Sequence, residues 1–185
     1  MFEKGQKEEA MLYYLYMMAD GEVSYSEEKL FAEICKEMKI DEYDKQVVID
    51  GCNEITKEST DILNVIIREN LDYQVGQGWS GFKDASALAR IIWNLVNLGY
   101  ADSDYSESER KIVKHLLEKW GVKQEIYLEM VDTADTMLAL TKQKEWIYST
   151  FDKGQLRDEK EKRIDLEFER MLSEIMITID ELTMW

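Results

Sequence analysis

Proline is absent from all 185 residues. No helix is therefore kinked or stopped by a missing N–H, and long uninterrupted helices are open to this chain. Cysteine occurs twice, at Cys35 and Cys52, each on an apolar helical face. Two such thiols exclude a disulfide framework and lead us to expect free, buried cysteines in a reducing cytoplasm. Histidine occurs once, as His115, between Lys114 and Leu116 on the polar side of its helix. One imidazole excludes a zinc cluster and a Glu-x-x-His di-iron site, and leaves a Ser or Cys nucleophile a single candidate base. His115 reads as a solvated or capping residue. Bases are outnumbered, 23 against 39 acids for a net charge of −16. That excludes a nucleic-acid surface, which needs clustered cations. It favours cations or basic partners, although solubility alone also accounts for it. No apolar run approaches the roughly 20 residues of a membrane span. The N-terminus (Met1-Phe2-Glu3-Lys4-Gly5) is charged and lacks a cleavage pattern. A cytoplasmic protein with no direct membrane insertion is expected.

What is present points to helices. Glu, Lys, Leu, Met and Ala are abundant, and no segment shows a convincing period of two. Spacing predicts helices over 6–18, after Ser24, after an Asp41 cap, from Ser59 or Thr60 to Leu71, over 85–99 and after Ser106. The helix over 85–99 is apolar on nearly all sides and is expected at the centre of the core. Beyond Val122, a helix over 124–150 and a last helix after the Asp152–Gln155 turn are expected. The last one carries Ile164, Phe168, Met171, Leu172, Ile175, Ile179 and Leu182 as an amphipathic stripe. A core over 1–123 and a C-terminal helical hairpin over 124–185 follow, the hairpin packed on the core or on a partner.

One element is written twice. Ala19-Asp20-Gly21-Glu22-Val23-Ser24-Tyr25-Ser26-Glu27 returns as Ala101-Asp102-Ser103-Asp104-Tyr105-Ser106-Glu107-Ser108-Glu109. The apolar positions of the next helix match in register, from Leu30 and Ile112 to Ile40 and Val122. Ser24-x-x-Glu27 and Ser106-x-x-Glu109 are capping boxes. Asp20 and Asp102 stand just past the end of the preceding helix, where the macrodipole disfavours a carboxylate. Glu22 and Asp104 follow two residues later. Two readings stay open: turns held by their own N–H groups, or oxygen ligands for a hard divalent cation such as calcium or magnesium. The loops are not EF-hands, since loop position six is Tyr25 or Glu107 and position twelve is Phe31 or Val113. A cation would have to be shared between the two loops.

The pattern Ala-Asp-Gly-Glu-Val-Ser-x-x-Glu before an amphipathic helix, repeated farther along, resembles the TerB-like domain of tellurite-resistance proteins. That domain type also occurs in a membrane-anchored DnaJ-like co-chaperone. The likeness covers roughly residues 5 to 122. It implies an all-α bundle of two pseudo-twofold related helix–acidic loop–helix repeats, with residues 10–38 superposing on 92–120. It also implies a metal site at Asp20, Glu22, Asp102 and Asp104, and a role in stress response without an established reaction. Ser103 replaces Gly21 in the second copy, so that loop is expected to differ in shape if the position needs positive φ.

Two further patterns carry less. Gly76-Gln77-Gly78-Trp79-Ser80-Gly81 matches G-x-G-x-x-G but lacks the strand and βαβ unit a dinucleotide needs. It reads as an interhelical loop pinned by Trp79 and Phe82. Glu129-x-x-Asp132, in the acidic stripe with Glu125 and Asp135, is half of the metal-binding set of all-α nucleotide pyrophosphohydrolases, and the upstream half is missing. The sequence thus reads as a non-enzymatic TerB-like sensor or adaptor. It would have a protein partner, a divalent cation as its one candidate cofactor, and homo-oligomer formation through the C-terminal helices. A metal-dependent hydrolase and a co-chaperone-associated module are the alternatives. With no proline, and hence no His-Pro-Asp, the chain is not itself a J-domain.

Overall fold

The computed structural model describes residues 2–3, 5–78 and 81–183. It is all-α, and the chain divides into two compact units, residues 1–123 and 124–185. The first contains α1 (Gln6–Met17), α2 (Tyr25–Glu37), α3 (Glu42–Ile55), α4 (Ile62–Arg68), α5 (Leu71–Gly76), α6 (Ala85–Tyr100) and α7 (Glu107–Trp120). The second is an antiparallel hairpin of α8 (Gln124–Thr150) and α9 (Gln155–Thr183). No helix among the described residues is long and apolar enough to cross a membrane.

Helix starts follow side-chain chemistry. Ser24, Asp41, Asp61, Asp84 and Ser106 each accept a hydrogen bond from the backbone N–H three residues on. Each satisfies a donor that the first turn would otherwise leave open. Stops follow backbone conformation. Gly121 is left-handed (φ 67°) and lets Val122 N–H donate to the Leu117 carbonyl at 3.1 Å. Lys39, its counterpart in the first copy, takes the same conformation (φ 59°), and Ile40 N–H donates to Cys35 at 2.9 Å. The repeat thus extends to the helix stops, with lysine bearing the steric cost that glycine escapes.

Three expectations need correction. The helix foreseen from Ser59 or Thr60 to Leu71 starts at Ile62 under an Asp61 cap and breaks at Asn70, which is left-handed (φ 58°) and restarts the chain as α5. Asn is among the few residues that enter this region at low cost. The expectation of helices alone fails between α5 and α6, where Gln77–Gly78 and Gly81–Phe82 form a two-residue antiparallel ladder. An antiparallel rung is no βαβ unit. Trp79 and the side chain of Phe82, foreseen as pins of this loop, lie outside the described residues, as does the Leu182 side chain.

The third correction concerns the centre of the core. Helix α6 is buried at nine positions, but α1 packs against every one of α2 to α7. Leu12, Tyr13, Leu15, Tyr16 and Met17 are completely buried. Burial of each such aliphatic side chain stabilises the fold by about 1.5–3 kcal/mol. The two tyrosines disguised α1, because burying them needs polar company. Tyr13 donates to Glu9 at 3.1 Å and accepts from Asn94 of α6 at 3.1 Å, while Lys83 pairs with Glu9 at 2.5 Å.

Gly99 of α6 faces this aromatic layer. A Cβ there would lie 2.6 Å from both Tyr105 Cδ2 and the Tyr16 hydroxyl. Overpacking of this kind costs about 1–3 kcal/mol, offset by about 1 kcal/mol of helix propensity. Gly99→Ala should therefore lower stability by up to about 2 kcal/mol in urea denaturation. Gly51→Ala, in α3 with nothing within 4 Å of its Cβ, should instead gain about 0.5–1 kcal/mol. Equal stability of the two variants would show that the aromatic layer yields freely.

Candidate functional site

The two acidic loops join α1 to α2 and α6 to α7. In each, the first aspartate folds back on the turn: Glu22 N–H donates to Asp20 Oδ1 at 3.1 Å, and Asp104 N–H to Asp102 Oδ1 at 2.9 Å. The residue between is left-handed in both, Gly21 at φ 98° and Ser103 at φ 73°. Serine therefore adopts the glycine conformation, and the difference in loop shape expected from that exchange is absent at this residue.

Both capping boxes are closed. Ser24 N–H donates to Glu27 at 2.7 Å and Ser106 N–H to Glu109 at 2.8 Å, while each serine oxygen accepts from the glutamate N–H at 3.2 Å. The glutamates are only 2–3 % exposed. Burial pushes the Glu109 carboxyl up to about 7; its hydrogen bonds with Ser106 oppose the shift, and the charges of Glu27 and Asp20 add to it. Glu27 is raised for the same reason, desolvation first, with Asp102 and Asp20 adding. Acids of the first copy thus feel acids of the second.

The chemistry of the set suits a hard cation, since every donor is a carboxylate oxygen. Its arrangement is not a ready cage. Among the described residues no three His, Cys, Asp or Glu side chains are grouped to hold a metal ion. Asp20, Glu22, Asp102 and Asp104 are placed on the two turns, with Asp20 and Asp102 each holding its own loop. Sequence reasoning treated Glu27 and Glu109 only as caps; their identity with each other in the repeat was the available signal.

Other candidate groups are structurally committed. A groove beside the first loop is lined by Thr60, Asp61, Ser108 and Lys111. Asp61 there caps α4, and Lys111 pairs with Glu107 at 3.1 Å. His115 is not simply solvated: its Nε2 lies 2.8 Å from Asp72 Oδ2, a carboxylate 4 % exposed on α5. Lys119, one turn along α7, approaches the same oxygen at 3.7 Å, and Trp120 Nε1–H donates to the Asp72 carbonyl at 2.6 Å. Asp72 ties α5 to α7, and the sequence reading did not single it out. Burial pushes the Cys35 and Cys52 thiols up to about 11 and about 12, far from the thiolate a nucleophile needs. Glu129 and Asp132 both stand exposed on α8.

No curated protein and no solved structure matches the chain. A protein family described as "Tellurite resistance protein TerB" matches residues 7–130, a span that holds both loops, both capping boxes and all seven helices of the first unit. The chain belongs to the TerB family.

Proposed function

We propose that this protein is a non-enzymatic sensor or adaptor in a bacterial stress response of the tellurite-resistance type, whose paired loops take up a divalent cation and whose acidic surface meets a protein partner. One observation carries the cation reading: of two buried capping-box glutamates, Glu27 feels the charges of Asp102 and Asp20, and Glu109 those of Glu27 and Asp20. Acids crowded in this way repel, and a bound dication relieves the repulsion. The turn hydrogen bonds of Asp20 and Asp102 mean that uptake requires these carboxylates to turn toward the ion. A loop that reorganises on binding is what a sensor needs, because only a ligand that distinguishes two states shifts their balance.

Thermal melting of wild type, Asp20→Asn and Asp102→Asn, with and without calcium or magnesium, tests this. Wild type should gain about 2.7 kcal/mol at a hundredfold excess over Kd. Asp102→Asn should lose that gain while the metal-free protein stays as stable or becomes slightly more so. A flat metal response would end the cation reading. Asp20→Asn, whose amide oxygen still accepts from Glu22 N–H, would then match wild type, and Asp20→Ala would show only the loss of that turn hydrogen bond, about 1 kcal/mol.

A further inference from the structure

A groove runs along the surface of the first unit, where the α1–α2 loop, the α3–α4 link and the first turn of α7 meet. It is made of two adjoining clefts of about 230 and 220 Å³ that share Thr60 and Ile62. One is walled by Met18, Val23 and Ile62, with Glu22 at its side. The other sets Asp61 and Ser108 beside buried Ile112. A largely apolar cleft thus continues into a polar one.

Charge around the groove has one sign. Residues 18–28, 54–61 and 102–111, which supply most of the lining, carry eleven acids against three bases, half of the chain's net charge of −16. The three bases are committed: Lys57 pairs with Glu54, Lys111 pairs with Glu107 at 3.1 Å, and Arg110 lies 4.2 Å from the centre of the Tyr105 ring. Asp61 accepts from neutral donors, Asn64 N–H at 3.1 Å and Asn64 Nδ2 at 2.7 Å, which leave its charge in place. Solubility alone does not gather half of the excess charge beside one groove, whereas a cationic occupant is drawn by it. The same field repels nucleic acid and anionic lipid.

We propose that this groove is the docking site for a basic segment of a protein partner. The segment lies extended, places an aliphatic side chain against Met18, Val23 and Ile62, and sets a Lys or Arg beside Asp61. Side chains on one face of an extended chain stand about 7 Å apart, so two neighbours of that face fill two adjoining clefts. Further bases on the segment meet the acids around the groove, which speeds encounter and rejects acidic partners. The proposal rests on the adaptor reading above, to which it adds the partner's chemistry and its place on the fold.

Selection of a random heptapeptide library against the full-length protein is the test. Enriched peptides should carry two or more Lys or Arg and an aliphatic residue, and should bind more weakly as salt is raised. Thr60→Trp, at an exposed position shared by both clefts, should weaken them at least about tenfold by filling the groove. Asp61→Asn still caps α4 but is neutral, and should weaken them about fivefold. Glu37→Gln, at the opposite end of α2 from the first loop, should bind as wild type does. Circular dichroism should show all three variants folded. Unchanged binding to either groove variant would overturn the docking site and leave the adaptor reading standing with another surface. A library that enriches nothing, or only neutral or acidic peptides, would overturn the docking site and the acidic-surface partner together.

Discussion

Asp72→Ala is expected to destabilise the fold by about 2–3 kcal/mol, the largest effect of any single side chain considered in this protein. Asp72 is second in α5, where the helix dipole favours a carboxylate, and its own Oδ1 accepts from Tyr73 N–H at 2.8 Å. Its other oxygen faces His115 and Lys119 of α7. Truncation removes charge-assisted hydrogen bonds, each worth about 1.5–3 kcal/mol, and leaves a gap where α5 and α7 meet. His115 and Lys119 are partly exposed and regain water, which keeps the loss below the 3–5 kcal/mol typical of a fully buried pair. Asp72→Asn preserves the shape and the bond from Tyr73, so it should cost about 1 kcal/mol. Trp120 reads the change independently, because its indole N–H bonds to the Asp72 backbone. Its fluorescence should shift in Asp72→Ala and hold in Asp72→Asn. Equal denaturation midpoints for wild type and Asp72→Ala would reduce this pair to a surface contact.

Local rules made much of the first unit legible. Both capping boxes, the Asp41 cap and the apolar register of α2 and α7 depend on residues three or four apart, and such spacings survive folding unchanged. What escaped was non-local. Nothing in the run from Ile62 to Leu71 announces that Asn70 will turn left-handed, because the periodic apolar pattern continues through it. The central place of α1 was hidden by Tyr13 and Tyr16, polar on a hydropathy scale yet wholly buried. Tyr13 finds its partners at Glu9, one turn back, and at Asn94, 81 residues away. The bond of Asp72 to His115 likewise spans 43 residues. At the candidate site the four loop acids were legible as a repeat, whereas the buried pair Glu27 and Glu109 was not. A capping box predicts a hydrogen bond and is silent on whether solvent reaches it.

That burial has a measurable consequence. Glu109 carries its proton more tightly in the folded chain, with a pKa of about 7, than in the unfolded one. Between the ordinary carboxylate range and pH 7 the native state binds the extra proton. Stability contributed by this group is therefore full at low pH, falls as pH rises through that window, and is flat above it. At about 1.4 kcal/mol per unit, displacement from the ordinary value of 4.5 to about 7 sets a ceiling of about 3.5 kcal/mol, and relaxation of the site around the ionised carboxylate brings the expected loss to about 2 kcal/mol. Glu109→Gln isolates the effect. Glutamine still accepts from Ser106 N–H, so the capping box persists, but it never ionises. The variant should match wild type in acid and exceed it by about 2 kcal/mol at pH 8, with the difference opening between those limits. Urea denaturation of both proteins across this range measures it. A difference that does not change with pH would mean that Glu109 is solvated in the native state. If calcium narrows the gap at pH 8 by stabilising wild type alone, the ionised Glu109 belongs to the cation's surroundings, and the cap and the candidate site are one structure.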